Sequence, residues 1–200
     1  MTTSAELRRR HAEVWDAAVG HRFVDELGAG TVPDAVLARY LSQDALFLDA
    51  FVALLGAAVA AADRPGARMV LARQLGLVAG DEDDYFTRAL ARLGVDGPVD
   101  PAPPTTGFLG LMDRAGRSAD YPTIMTVLLV AEWLYLDWAQ RLGAAPDDWL
   151  YAEWIELHRG PAFAAWVTFL RGEVDRVGAD GTVFAVAVEL ELAFFDAAYG

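Results

Sequence analysis

The sequence of 200 residues contains no cysteine and only three histidines. Without cysteine there can be no disulfide, no thiolate nucleophile and no zinc site with cysteine ligands. None of the histidines follows an acidic residue by three or four positions, so the Glu-x-x-His pairs of a di-iron bundle are missing. Gly-x-Ser-x-Gly and His-Glu-x-x-His motifs are also absent. We therefore expect neither a metal site nor a cofactor.

Basic residues are scarce as well, with 16 Arg and Lys against 29 Asp and Glu and a formal net charge of −13. This balance argues against nucleic acid and against an anionic membrane surface, since both attract basic residues. Residues 45–62 are nearly long enough to span a bilayer, but Asp44 and Asp49 at one end and Gly56 inside favour a buried core helix. No signal peptide is predicted, and the composition fits a soluble cytoplasmic protein.

The distribution of apolar residues predicts an all-α protein. Ala and Leu dominate the sequence, and the alternation typical of strands is scarce. We expect one domain over residues 1–200, built as a bundle of eight or nine helices. Thr3-x-x-Glu6 has the spacing of a capping box and should begin the first helix. The acidic cluster at residues 81–84 is expected to cap a later helix, and the longest loop, residues 97–104, contains four prolines.

An acidic residue interrupts an apolar stripe in the second long helix. Helical spacing places Tyr40, Asp44, Phe47 and Phe51 on one face. The helix continues through residues 52–62 without a charge, so it should be buried on nearly all sides. Asp44 is then either a core acid satisfied by a Tyr hydroxyl or an Arg, or an acid that faces a polar ligand in a pocket.

Two later helices repeat this pattern. Glu132 has only apolar or aromatic neighbours at helical spacing. Glu191 is flanked in the same way by Phe194 and Phe195. Glu189, two residues earlier, points elsewhere and should be solvated. Burial raises the pKa of a carboxyl group, and an acid tuned in this way can transfer protons near neutral pH. We infer that Asp44, Glu132 and Glu191 share one pocket.

Several short motifs resemble the TenA/thiaminase II family. They occur in the family's order and close to its spacing: Tyr40-Leu41-x-Gln43-Asp44, Glu82, Glu132-Trp133-Leu134-Tyr135, Trp154-Ile155 and Glu191-x-x-Phe194-Phe195-Asp196. The resemblance implies the heme-oxygenase-like all-α fold, usually without heme, and a pyrimidine pocket inside the bundle. It also implies a homodimer or a homotetramer.

Individual positions imply a particular branch of that family. Asp44 matches the acid that holds the aminopyrimidine ring, Glu191 the acid that assists proton transfer at the scissile C–N bond, and Tyr135 a pocket tyrosine. Ala131 stands where the better-known branch has its nucleophilic cysteine. The chain thus resembles the cysteine-lacking TenA_E-type branch, in which a glutamate is expected to take over.

Three further positions complete the substrate pocket that the resemblance implies. Phe47, Phe108 and His158 stand where the better-known branch has pocket tyrosines. Glu132, next to the vacant cysteine position, is the candidate for the replacement glutamate, and Glu82 is the second candidate.

The resemblance, together with the missing metal-ligand pairs, thus implies a metal-free C–N hydrolase of thiamine salvage that acts on an aminomethylpyrimidine or its N-formyl derivative. Two alternatives remain. The first is a PqqC-like or di-iron oxygenase on the same fold, which would need more basic or metal-binding residues in the pocket. The second is a non-catalytic protein that binds a small aromatic molecule.

Overall fold

The computed structural model describes residues 2–200, apart from the side chains of residues 81–83. Every regular element in this part of the chain is helical. The elements are α1 (Ser4–Arg10), α2 (Ala12–Val19), α3 (Arg22–Ala29), α4 (Asp34–Ala61), α5 (Pro65–Leu77), a π-helical segment (Val78–Glu82), α6 (Asp83–Arg92), α7 (Pro103–Ser118), α8 (Tyr121–Arg141), α9 (Trp149–Leu157), α10 (Pro161–Val177) and α11 (Gly181–Ala197). The predicted all-α bundle is confirmed, with more and shorter helices than expected.

Two local features account for the difference in helix number. Thr3 caps α1 as predicted, accepting a hydrogen bond from the Glu6 amide at 3.2 Å. The first predicted helix then breaks at His11, whose φ of −106° and ψ of 24° leave the helical region. The acidic cluster lies where the π-helical segment joins α6. The acids therefore lie at the start of α6, as expected, but α5 passes into α6 through one wide helical turn. The side chains of residues 81–83 lie outside the described residues, so their capping of α6 stays a prediction.

The centre of the bundle is α8. Its residues 124–136 are all buried, because α2, α4, α7, α10 and α11 pack around it. Capping fixes where this helix begins: Asp120 accepts a hydrogen bond from the Thr123 amide at 3.1 Å. A single polar side chain on the middle turns of such a helix must therefore point into the protein interior.

The expectation that α4 is buried on nearly all sides was wrong for its second half. Leu37 and residues 40–44 are buried, but only 28% of the helix's most apolar stretch is buried, and Asp49, Ala53 and Ala60 are exposed. By length and composition α4 is the one helix in the described ranges that could cross a membrane, a property it shares with core helices of soluble proteins. One apolar face of α4 thus has no covering element from the described part of the chain.

The fold brings α4, α7, α8 and α11 into mutual contact. Gly107 permits a close approach of α7 to α11, because a Cβ atom added there would lie 2.6 Å from Leu190 Cδ2. Phe108, the next residue, is fully buried against the same region. A small residue in α7 therefore sets the distance between two walls of the interior.

Candidate active site

Three helices each place one carboxyl group in the same part of the core. Asp44 on α4, Glu132 on α8 and Glu191 on α11 are 6%, 7% and 2% exposed. Burial raises the pKa of Glu191 well above its usual value, and the nearby charges of Asp44 and Glu132 raise it further. Its Oε1 atom has no hydrogen-bond partner among the described residues. The geometry thus favours a neutral, protonated Glu191 beside two other acids.

A buried acid elsewhere in the bundle shows the contrasting, structural case. Glu173 on α10 is 3% exposed, but it accepts a hydrogen bond from Tyr121 at 2.9 Å and pairs with Arg176 and Arg64. Burial alone would raise the pKa of Glu173, yet the hydrogen bonds from Arg176 and Tyr121 lower it. Glu173 is therefore a compensated core acid, whereas the charged groups that shift the pKa of Glu191, Asp44 and Glu132, are themselves acids.

The acids line two adjoining cavities that share Asp44, Phe47 and Tyr135. The larger encloses about 400 Å³ of space not filled by protein atoms, part of it open to solvent. Its wall is otherwise formed by Leu48, Phe51, Phe86, Ala131, Glu132, Trp154 and His158. The smaller has a volume of about 180 Å³ and adds Phe108, Glu191 and Phe194. The lining of both cavities is mostly apolar and aromatic with a few polar groups, which suits a small aromatic ligand.

Aromatic rings form the surface on which such a ligand would lie. Phe47 is half-buried, and its ring meets that of Phe108 edge-on at 5.2 Å between centroids. It stacks on Phe51 at 5.6 Å on the other side. Helical spacing around Asp44 predicted Phe47, whereas Phe108 was expected only from the resemblance to the family. A planar heterocycle could add to this group by the same stacking geometry.

Two tyrosine hydroxyls form a buried pair next to Asp44. The hydroxyl oxygens of Tyr40 and Tyr135 are 2.8 Å apart, so one donates a hydrogen bond to the other. Burial and the charge of Asp44 raise the pKa of Tyr135, and the same two causes raise the pKa of Tyr40. Both hydroxyls therefore stay protonated at neutral pH and act as hydrogen-bonding groups.

Glu132 is held by a residue from a different helix. The Trp166 indole Nε1 donates a hydrogen bond to Glu132 Oε1 at 2.8 Å. This contact fixes one carboxylate oxygen, while the residue itself borders the larger cavity together with Ala131. Trp166 is 4% exposed and lies on α10. Its indole donor therefore orients the carboxyl group of Glu132 from behind the cavity wall.

No arginine is among the described residues that line either cavity, whereas three carboxyl groups are. In the residues whose side chains are described, no three His, Cys, Asp or Glu side chains are arranged to hold a metal ion. The electrostatic character of the site therefore favours a ligand that is cationic or rich in N–H groups, and it disfavours a phosphorylated one.

Comparison with known proteins places the chain in a family. The sequence profile of the TENA/THI-4/PQQC family matches residues 8–199. The chain belongs to this family. A protein named aminopyrimidine aminohydrolase from Halalkalibacterium halodurans is 23% identical, over all of this chain and 96% of that protein. A protein of the same name from Bacillus subtilis is 27% identical, over 91% of this chain and 79% of that protein.

Solved structures of family members share the fold. A TenA homologue from P. horikoshii superimposes with a TM-score of 0.87 at 21% identity, covering all of this chain and 99% of that one. A TenA family transcription regulator from Silicibacter has a TM-score of 0.85 at 22% identity, covering 97% of this chain and 95% of that one. At these identities the likeness establishes the fold alone, which is the heme-oxygenase-like all-α architecture that the motifs implied.

The structure brings together all of the site residues predicted from the sequence except Glu82. The side chain of Glu82 lies outside the described residues, so its role remains a prediction. Sequence reasoning missed Trp166 and Phe86. The only signal for either was an apolar position on an amphipathic helix. Nothing in the local sequence shows that Phe86 lines a cavity or that Trp166 bonds to Glu132.

Proposed function

We propose that this chain is a cytoplasmic, metal-free hydrolase that cleaves the exocyclic C–N bond of an aminomethylpyrimidine or of its N-formyl derivative. One observation carries the proposal: a buried carboxyl group, Glu191, with its pKa raised, lies beside two other acids in a cavity walled by aromatic rings. The names of the two curated relatives agree with this reaction.

The cavity wall suggests how the pyrimidine would be held. Asp44 would bind a ring nitrogen and the exocyclic amino group, since a carboxyl group can pair with adjacent N and N–H positions. Phe47 and Phe108 would stack on or border the ring, each contact contributing about 0.5–1.5 kcal/mol. Tyr135 and His158 would close the pocket on the α8 and α9 sides.

The reaction needs one acid and one base. Glu191 would donate its proton to the departing nitrogen while the C–N bond breaks, and Glu132 or Glu82 would take a proton from the attacking water. The water oxygen forms the new bond to the exocyclic carbon. The products are the hydroxymethylpyrimidine and ammonia, or formamide when the substrate carries the formyl group.

Incubation with both pyrimidines, followed by mass spectrometry, tests this function. We expect the hydroxymethylpyrimidine to appear with wild-type protein and to be lost or strongly reduced with Glu191→Gln. Tight binding of a pyrimidine without any product would refute the hydrolase and make the chain a binding protein. Oxygen-dependent products that require added iron would instead indicate an oxygenase.

We further propose that the protein assembles as a homodimer or homotetramer through the exposed apolar face of α4. Along this face the small residues Ala53, Gly56 and Ala60 are exposed or half-buried, and Met69 on the neighbouring α5 is 54% exposed. Sedimentation velocity tests the assembly. We expect a particle of at least two chains for the wild type and a smaller one for Ala53→Arg, while Glu189→Arg on the exposed side of α11 should leave the particle unchanged.

A further inference from the structure

Tyr40 is next to the site but is not one of the described residues that line the two cavities. It is 1% exposed and precedes Asp44 by four residues on α4, so the two side chains lie on the same face of that helix. Its hydroxyl oxygen is 2.8 Å from the hydroxyl oxygen of Tyr135 on α8. Asp44 and Tyr135 each line both cavities. Tyr40 is therefore a core residue placed between two residues of the cavity wall.

Aromatic side chains from three other helices hold the ring of Tyr40. The distance between ring centroids is 4.3 Å to Phe23 on α3, 5.5 Å to Phe194 on α11 and 6.3 Å to Trp154 on α9. Phe194 and Trp154 meet the ring edge-on. Close packing of this kind leaves a buried side chain little freedom to turn, so the hydroxyl group of Tyr40 has a fixed position.

The hydroxyl hydrogens of the two tyrosines can be assigned from their acceptors. Burial raises the pKa of Tyr40, and the charge of Asp44 and a hydrogen bond to Asp44 raise it further. An ionised carboxylate only accepts, so the single hydroxyl hydrogen of Tyr40 is donated to Asp44. The oxygen of Tyr40 then accepts from Tyr135, and this hydrogen bond lowers the pKa of Tyr40. A chain of hydrogen bonds thus runs from the Tyr135 hydroxyl through Tyr40 to Asp44.

The middle member of this chain controls both ends. Without the Tyr40 hydroxyl, the buried Asp44 would lose a donor, and the buried Tyr135 hydroxyl would lose its acceptor. Each loss leaves a polar group without compensation for its lost water, which is costly in a buried position. Both groups would then have to turn toward other partners, and both belong to the wall that would hold the pyrimidine.

We propose that Tyr40 is a positioning residue: its hydroxyl joins Asp44 to Tyr135 and holds both in the orientation that binds the pyrimidine ring. This inference rests on the proposed function and adds to it a residue that does not touch the ligand. Tyr40 transfers no proton to the substrate, because the acid at the C–N bond is Glu191. The loss of its hydroxyl should therefore weaken binding and leave turnover at saturating substrate nearly unchanged.

Tyr40→Phe removes the hydroxyl and keeps the ring in its aromatic surroundings. Calorimetry with hydroxymethylpyrimidine, the product, measures binding without turnover. We expect the dissociation constant to rise by roughly 10- to 100-fold, the range for losing a hydrogen bond to a charged group. With the aminomethylpyrimidine as substrate, KM should rise and kcat should stay nearly constant. Tyr151→Phe is the matched control, because it removes a buried hydroxyl that donates to the Val32 carbonyl oxygen at 3.0 Å, and it should change neither constant.

The variant Asp44→Asn separates positioning from packing. If Tyr40 acts through Asp44, Tyr40→Phe should weaken binding much less in the Asp44→Asn protein than in the wild type, since members of one hydrogen-bond network are not additive. The same factor in both proteins would overturn the inference. So would wild-type affinity in a Tyr40→Phe protein with a native circular dichroism spectrum. Should Tyr40→Phe not fold, Tyr135→Phe breaks the chain at its other end, and additivity with Asp44→Asn would again refute it.

Failure of the proposed function gives a different result. A wild type that binds the pyrimidine without converting it refutes the hydrolase, and the binding comparison still decides the role of Tyr40. If the wild type neither binds nor converts a pyrimidine, urea denaturation of the wild type, Tyr40→Phe, Asp44→Asn and the double variant replaces calorimetry. Changes in the free energy of unfolding that are not additive then support the link between Tyr40 and Asp44, and additive changes refute it.

Discussion

The substitution Glu191→Gln should make the protein more stable and less active at once. The amide keeps the size and shape of the neutral acid but has no proton to transfer. Glu191 is 2% exposed and its pKa is raised by burial, then by Asp44 and Glu132. Loss of a general acid slows turnover by roughly 100- to 10,000-fold, and the wild-type pH–rate profile should lose one limb in the variant.

The stability gain has a defined sign and pH range. The pKa of Glu191 is higher in the folded protein than in the unfolded chain. At a pH between these two pKa values, the carboxyl group is therefore protonated in the folded state and ionised in the unfolded state. The free energy of unfolding of the wild type therefore falls as pH rises through this interval, by up to about 1.4 kcal/mol per pH unit. Below the pKa of the unfolded chain, Glu191 is protonated in both states and the free energy of unfolding no longer depends on its ionisation. Glutamine does not titrate, so the free energy of unfolding of the variant does not fall in this pH range.

Urea denaturation from pH 4 to pH 8, together with steady-state kinetics, measures both effects. The two proteins should have nearly equal stability at pH 4, and the variant should gain steadily toward neutral pH. Glu189→Gln, on the exposed side of the same helix, is the control and should change neither stability nor rate. A stability difference that does not vary with pH, or a variant with wild-type turnover, would refute the protonated-acid interpretation of Glu191.

Three further predictions concern binding, orientation and metal. Asp44→Asn should weaken pyrimidine binding by about 1.5–3 kcal/mol in calorimetry, with Asp49→Asn on the exposed side of α4 as the control; equal affinities would make Asp44 a structural residue. Trp166→Phe removes the donor to Glu132 Oε1 and should lower kcat with little change in KM, whereas a change confined to KM would contradict a role in orienting the carboxylate. Treatment with a chelator should leave turnover unchanged, and two equivalents of iron or manganese in active protein by elemental analysis would contradict the metal-free mechanism.

The carboxyl groups of the site could be predicted because helical periodicity is a local property. Glu191 and Glu189 are two residues apart, yet the spacing of their neighbours distinguished the buried acid from the exposed one. The same reasoning placed Glu132 inward on α8. Periodicity alone could not group the three acids, because Glu173 is equally buried on α10 and lies outside both cavities.

The parts that could not be predicted depend on contacts between distant segments. The hydrogen bond from Trp166 to Glu132 joins residues 34 positions apart, and no local pattern encodes it. The second half of α4 has a core-like composition but remains partly exposed, and composition alone does not show which apolar stretch is covered by the rest of the chain. The π-helical segment depends on how α5 and α6 pack, which the acidic residues between them do not reveal.

Gln43, next to Asp44, ties the proline-rich loop to the floor of the site. Its side-chain amide donates to the Asp100 carbonyl oxygen at 3.1 Å and accepts from the Ala102 amide at 2.8 Å. These two hydrogen bonds fix the end of the loop next to α4, and α7 begins immediately after it. The position of the loop therefore determines where Phe108, in the second turn of α7, lies in the cavity wall. Insertions or deletions in this loop would change the distance between Phe108 and Phe47 across the smaller cavity. Surface loops ordinarily tolerate changes in length. Under the proposed function, the length of this loop is instead a determinant of which pyrimidine fits.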